Sequence, residues 1–171
     1  LYYINILDTD AVQELIEEFD PQQQATLAIV KHTNPCGVGS GATGLEAWEK
    51  AFATDRAAPF GGIIALNQTI DLALAQAIDE IFSEIIIAPD FAPDALKLLR
   101  AKKNRRLMRS LRPVTAEQKL LLHSVPGGVL VQFPDRAPVA DEPLTVVTRR
   151  APTEQELNAM RYGWRVAKHV K

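Results

Sequence analysis

Lysine beside histidine at the end of an apolar run is the pair in this chain best suited to chemistry. Lys31-His32 follows Leu27-Ala28-Ile29-Val30. A histidine titrates near neutral pH and can accept a proton, and an adjacent ammonium can stabilise a developing oxyanion. Ligands of open α/β sheets gather outside the carboxyl ends of the strands, where this run would put both residues. Two polar residues that merely close a strand would look the same. Cys36, the single cysteine, stands four positions after His32. As a nucleophile it would need a base or cation nearby, which His32 offers; a small buried cysteine in a turn is the commoner arrangement.

Phe60-Gly61-Gly62 precedes a second apolar run. Paired glycines let a backbone approach a ligand closely, and they equally make a tight turn. Glu84 begins a third apolar run, where a carboxylate either hydrogen-bonds a ligand or marks an exposed strand end. Lys102-Lys103-Asn104-Arg105-Arg106, with Arg109 and Arg112, is the one basic run. It lacks interleaved aromatics and reads as a solvated face rather than a nucleic-acid surface. Trp164 reads as core packing. Pro35-Cys36 invites comparison with zinc deaminases, which carry His-x-Glu and Pro-Cys-x-x-Cys. Here Asn34 replaces the glutamate and Gly39 the second cysteine, so that site cannot be built and no metal is expected.

The elements that must position these residues follow from periodicity. Asp8 to Asp10 read as helix-starting residues, and Ala11, Val12, Leu15, Ile16 and Phe19 then recur at helical spacing until Pro21. Residues 26–30, 61–67 and 84–88 read as buried strands. Lys31 to Gly37, with Asn-Pro and nearby glycines, reads as a loop. Helices are expected at 44–53, 71–82 and from Pro93 or Asp94 through Arg100. This alternation argues for a layered α/β sheet with flanking helices. Short strands are expected at 106–110, 120–124 and 128–132. Residues 133–148 read as an extended connector. A Thr153/Glu156 capping box then starts a helix running to Lys171.

A length of 171 residues suffices for one domain plus an arm, and a formal charge of −2 gives no general pull toward nucleic acid or an anionic membrane. The lone thiol suits a reducing compartment. No apolar run approaches the ~20 residues of a membrane span, and no secretion signal is expected. The chain begins at Leu1 without an initiating methionine, as an internal cut would.

The segments Asn5-Ile6-Leu7-Asp8-Thr9-Asp10-Ala11, Val30-Lys31-His32-Thr33-Asn34-Pro35-Cys36-Gly37-Val38, Phe60-Gly61-Gly62-Ile63-Ile64-Ala65-Leu66-Asn67 and Glu84-Ile85-Ile86-Ile87-Ala88-Pro89 run in order along the chain. Lys102-Lys103-Asn104, Gly127-Gly128-Val129-Leu130-Val131-Gln132 and Trp164-Arg165-Val166-Ala167-Lys168-His169-Val170-Lys171 continue the series. Together they resemble the bifunctional purine biosynthesis family, in which 5-aminoimidazole-4-carboxamide ribotide (AICAR) formyltransferase is joined to IMP cyclohydrolase.

The resemblance implies a cytidine deaminase-like subdomain without zinc over residues 1–132. Residues 133–171 would be a connector and helix leading to a missing second subdomain. It implies formyl transfer from the cosubstrate 10-formyltetrahydrofolate to AICAR in IMP synthesis, with most of the folate site outside this chain. The cyclohydrolase domain would also lie outside it, and the isolated fragment would not turn over. Catalysis falls to Lys31 and His32, and AICAR binding to Lys31, His32, Phe60, Gly61 and Glu84. A cytoplasmic homodimer follows by the same likeness, with no nucleic acid or membrane partner. The chain departs from the family pattern at Tyr2, Ile4, Arg56, Ala58 and Pro59; Ala58 removes a hydroxyl and Glu84 stands where an aspartate is familiar. A non-catalytic ligand-binding or dimerisation domain of the same ancestry is the alternative.

Overall fold

The computed structural model describes residues 2–111, 120–135 and 144–171. Arg112 and residues 136–143 of the expected connector lie outside the described residues. The chain divides into two compact units, one of Leu1–Leu111 with Gly163–Lys171 and one of Arg112–Tyr162.

The first unit is a mixed α/β layer structure. Its elements are α1 (Tyr3–Ile16), β1 (Ala25–Lys31), β2 (Asn34–Gly41), α2 (Gly44–Thr54), β3 (Ile63–Leu66), α3 (Leu72–Asp79), β4 (Ile85–Ala88), α4 (Pro93–Leu99) and β5 (Arg106–Arg109). The five strands form one sheet in the order β2-β1-β3-β4-β5. β1 is antiparallel to both neighbours, whereas β3, β4 and β5 are parallel and joined by α3 and α4. β1, β3 and β4 are apolar without alternation because both sheet faces are covered. Ala25, Leu27, Ile29, Ile64, Leu66, Ile86 and Ala88 pack with α2, α3 and α4. The opposite face meets α1, whose buried Ala11, Val12, Leu15 and Ile16 stand outside that cluster. Each fully buried Leu or Ile in these layers contributes roughly 1.5–3 kcal/mol of transfer free energy.

Three expectations for this unit are corrected. First, α1 begins five residues before Asp8, at Tyr3, with Tyr2 as N-cap, and Phe19 lies beyond its end. Asn5 reaches back to accept the Tyr2 amide at 3.1 Å, which satisfies a helix-end donor that Asp8 does not serve. Second, residues 34–37 are strand, not loop. Only His32 and Thr33 form the turn, both with positive φ (54° and 63°) as a two-residue type I′ hairpin requires. Pro35 is tolerated because β2 is a sheet edge, and Cys36 is the extra residue of a bulge between Ile29↔Gly37 and Val30↔Pro35. The glycines of β2 serve packing. A Cβ on Gly37 or Gly39 would lie 2.0 or 2.2 Å from the carbonyl oxygens of Ala51 and Ala47 in α2. Third, Arg105 is not part of a solvated face. It is 7% exposed and pairs with Asp79 at 2.6 Å, joined there by Lys102.

In the second unit β6 (Leu121–Val125) and β7 (Gly128–Gln132) pair as an antiparallel hairpin. α5 (Glu154–Ala167) opens on the expected reciprocal cap: Glu156 donates its amide to Thr153 Oγ1 at 3.2 Å, and Thr153 donates its own to Glu156 Oε2 at 2.8 Å. The helix ends at Ala167 rather than Lys171. Trp164 is 64% exposed, so it is not core packing. The residues after it belong to the first unit. Lys168 and His169 reach Glu18 at 2.8 and 3.2 Å, and the Arg165 guanidinium lies 6.0 Å from the Phe19 ring centre. Among the described residues no helix is long and apolar enough to cross a membrane.

Candidate functional site

Register across the sheet builds the site. Val30 of β1 pairs with Ile63 of β3, Ile63 with Ile85 of β4, and Ile85 with Arg106 of β5. One step beyond that row stand Lys31, Gly62 and Glu84, side by side at one end of the sheet. Because β1 runs antiparallel to β3, this end is the carboxyl end of β1 and the amino end of β3, β4 and β5. Lys31 and His32 therefore stand at the carboxyl end of β1, as expected, and Gly61 and Glu84 stand at the amino ends of β3 and β4, as their places ahead of two apolar runs implied.

Hydrogen bonds tie the row together. Lys31 Nζ donates to the Phe60 carbonyl at 2.8 Å. Gly61, with φ +74°, donates its amide to the Phe82 carbonyl at 2.7 Å, and the Glu84 amide donates to the Gly62 carbonyl at 3.0 Å. Nothing lies within 4 Å of a Cβ built on Gly61, so only its backbone angle demands glycine, while a Cβ on Gly62 would meet the Pro59 and Val30 carbonyls at 3.0 and 3.1 Å. The Phe60 ring is 64% exposed and lies 5.8 Å from that of Phe82, centre to centre. His32 is exposed at the tip of the hairpin. The five expected residues, Lys31, His32, Phe60, Gly61 and Glu84, thus share one end of the sheet.

Two side chains of α1 that sequence reasoning passed over complete this end. Asn5 and Asp8 are one helical turn apart and are 7% and 6% exposed. Asn5 Nδ2 donates to Glu84 Oε2 at 2.5 Å. Asp8 Oδ1 accepts the Thr33 amide at 2.7 Å. A left-handed angle is unusual for histidine and an outlier for a β-branched residue, so Thr33 in particular carries strain of about 1–3 kcal/mol that its surroundings must sustain. Asn34 Nδ2 donates to the His32 carbonyl at 3.0 Å and Asn34 Oδ1 accepts the Lys171 amide at 2.7 Å. The sequence signal for Asp8 was a buried-face position in the helical repeat occupied by a carboxylate.

Cys36 is half-buried and packs against the core on the α2 side. Burial pushes its thiol upward and the Asp55 charge adds to this, against the opposing pull of Lys31. That is the reverse of what a thiolate nucleophile needs. Ala58 donates its amide to Asp55 Oδ1 at 3.0 Å within a turn. Among the described residues no group of three or more His, Cys, Asp and Glu side chains could hold a metal ion.

Residues 1–171 match the family described as the AICARFT/IMPCHase bienzyme. The chain is 66% identical over its whole length to the bifunctional purine biosynthesis protein PurH of Chloroflexus aurantiacus, of which it covers 33%. It is 49% identical to the protein of the same description from Paracoccus denitrificans, covering 32%. It therefore spans about a third of the length of these curated relatives. Among solved structures, Acinetobacter baumannii RibD, form 1, is similar over 63% of this chain and 34% of that one, at 14% identity and a TM-score of 0.42. The match over every residue places the chain in a family: it belongs to the AICARFT/IMPCHase bienzymes.

Proposed function

We propose that this chain supplies the catalytic lysine-histidine pair of an AICAR formyltransferase, which moves a formyl group from 10-formyltetrahydrofolate to AICAR in purine synthesis. The observation that carries this reading is the convergence of Lys31, His32, Phe60, Gly61 and Glu84 at one end of the sheet, from three separate stretches of chain. The AICAR amine is conjugated to an imidazole bearing a carboxamide and is a poor nucleophile. As its nitrogen bonds to the formyl carbon, His32 takes the proton and Lys31 stabilises the oxygen that gathers charge; the carbon–N10 bond then breaks and the folate nitrogen leaves with the proton that His32 gives up. The backbone of Phe60-Gly61 and the Glu84 carboxylate line the bound AICAR.

In this reading residues 1–132 form a cytidine deaminase-like subdomain that does its work without zinc, and 133–171 lead toward a second subdomain. The rest of the folate site and the cyclohydrolase chemistry belong to other parts of the relatives' length. The protein acts as a cytoplasmic homodimer, and turnover needs the full-length polypeptide.

The test is steady-state kinetics on the full-length protein from the parent gene. His32→Ala is expected to lower formyl transfer by on the order of 10²–10⁴-fold, the usual scale for a lost general base. Lys31→Ala should cost a comparable factor, with both losses chiefly in kcat because AICAR is anchored elsewhere through its phosphate and ribose. Cys36→Ala should change little. A near-normal kcat in His32→Ala with an inactive Cys36→Ala would replace this mechanism with a thiol one. Tight AICAR binding by the parent protein with no turnover would make it a non-catalytic relative.

A further inference from the structure

We infer that Asp8 is a positioning residue for His32: its buried carboxylate holds the left-handed turn that presents the histidine to substrate. The inference rests on the reading of His32 as proton acceptor. Three observations converge on it. The turn is two residues long and both have positive φ, a geometry uncommon for histidine and strained for the β-branched threonine. The Asp8 carboxylate, 6% exposed, spends an oxygen on the Thr33 amide at 2.7 Å, next to the histidine. It comes from α1, which packs on the sheet through Val12, Leu15 and Ile16, so the turn is fixed to a rigid element rather than to its own hairpin alone. Asn34 grips the His32 carbonyl from the hairpin side. Asp8 touches no reacting atom. Its effect is to keep the imidazole at one angle to the Lys31 ammonium and the Phe60-Gly61 backbone.

The test uses the full-length protein from the parent gene. Asp8→Ala is expected to lower kcat for formyl transfer by about 10- to 100-fold, the scale of a reacting group misplaced by about an ångström, with KM for AICAR little changed. Asp8→Asn keeps an oxygen that accepts the Thr33 amide, so it should recover most of that loss. Asp8→Ala added to His32→Ala should lower kcat no further, because a turn without its base has no alignment left to lose. Adding Thr33→Gly to Asp8→Ala should restore much of kcat, since glycine keeps a positive φ without help. Amide hydrogen exchange at Thr33 reports the bond without any turnover: slow in the parent and Asp8→Asn, fast in Asp8→Ala. Parent-like kcat in Asp8→Ala while His32→Ala is impaired overturns the inference. So do multiplicative losses in the double variant, no recovery with Thr33→Gly, or fast Thr33 exchange in the parent. If His32→Ala itself keeps parent kcat, the functional reading has failed instead and the catalytic role inferred for Asp8 falls with it; Thr33 exchange that still quickens in Asp8→Ala separates that result from a failure of the Asp8 bond.

Discussion

Glu18 shows how much a single side chain can hold in place here. Its carboxylate receives His169 and Lys168 from the far end of the sequence. The His169 hydrogen bond, followed by that of Lys168, holds it down at about 2 from the usual 4.5, against the opposing effect of burial. A carboxylate depressed in the folded state contributes stability that is fully present above its unfolded pKa and is lost as pH falls through the folded value. The docked end of the chain should therefore weaken between pH 4.5 and about 2. Urea midpoints across that window should fall steeply for the parent and less steeply for Glu18→Gln, which should already be weaker at neutral pH. Parallel curves for the two proteins would mean the pairing adds no stability. Asn5 and Asp8 follow the same logic of a buried polar group satisfied by a distant partner, and that is why their partners could not be read from the local sequence. A carboxylate at position 8 looks like a helix start, because nothing local reveals that its partner is the amide of Thr33. Lys31, His32, Phe60, Gly61 and Glu84 were visible one by one, since each interrupts or borders an apolar run.

At the scale of elements, β2 is held against α2 by what its side chains lack. Gly37, Gly39 and Gly41 recur at the two-residue period of a strand and lie opposite Ile29, Leu27 and Ala25. They face Ala47 and Ala51, one helical turn apart. Gly39→Ala should destabilise the chain by about 1–3 kcal/mol or more, because its methyl meets backbone that cannot swing aside. Gly128→Ala, with nothing within 4 Å of its Cβ, should leave the denaturation midpoint nearly unchanged. Equal midpoints for the two variants would contradict the close approach of α2. This strand also marks the limit of reading from sequence. β1, β3 and β4 were legible because strands covered on both faces become continuous runs of Ile, Leu, Val and Ala. β2 was not, because packing against a helix backbone selects glycine, and glycine beside Asn-Pro imitates a loop. The start of α1 was hidden for a related reason: Tyr3, Ile4, Ile6 and Leu7 are exposed, so no amphipathic repeat announces the first turns.

For the molecule as a whole, burial is unevenly shared between the two units. The central strands of the first unit's sheet are covered on both faces. By contrast, Leu122, Val129, Leu130 and Val131 of the β6–β7 hairpin are 57–66% exposed. A lone two-stranded hairpin is marginally stable, and local opening is easiest where few apolar contacts must break. Hydrogen exchange followed by mass spectrometry should therefore find two tiers: slow amides in β1, β3 and β4, fast amides in β6 and β7. Similar protection in both would show that the hairpin owes its order to more than its own ladder.

The two-residue turn at His32-Thr33 has a further consequence for how this sequence can change. Surface turns are where chains ordinarily accept insertions and deletions. Here one added residue would shift β2 by a single position and exchange its two faces. Val38 and Ser40 would then turn toward α2, where the glycines leave room for no side chain, and the bulge at Cys36 has already taken up the one residue of slack. The same slip would change the backbone angle at His32 and so re-aim its imidazole relative to the Lys31 ammonium. In a scan of single-codon insertions along the gene, this turn is a place where folding and the proposed formyl transfer should fail together.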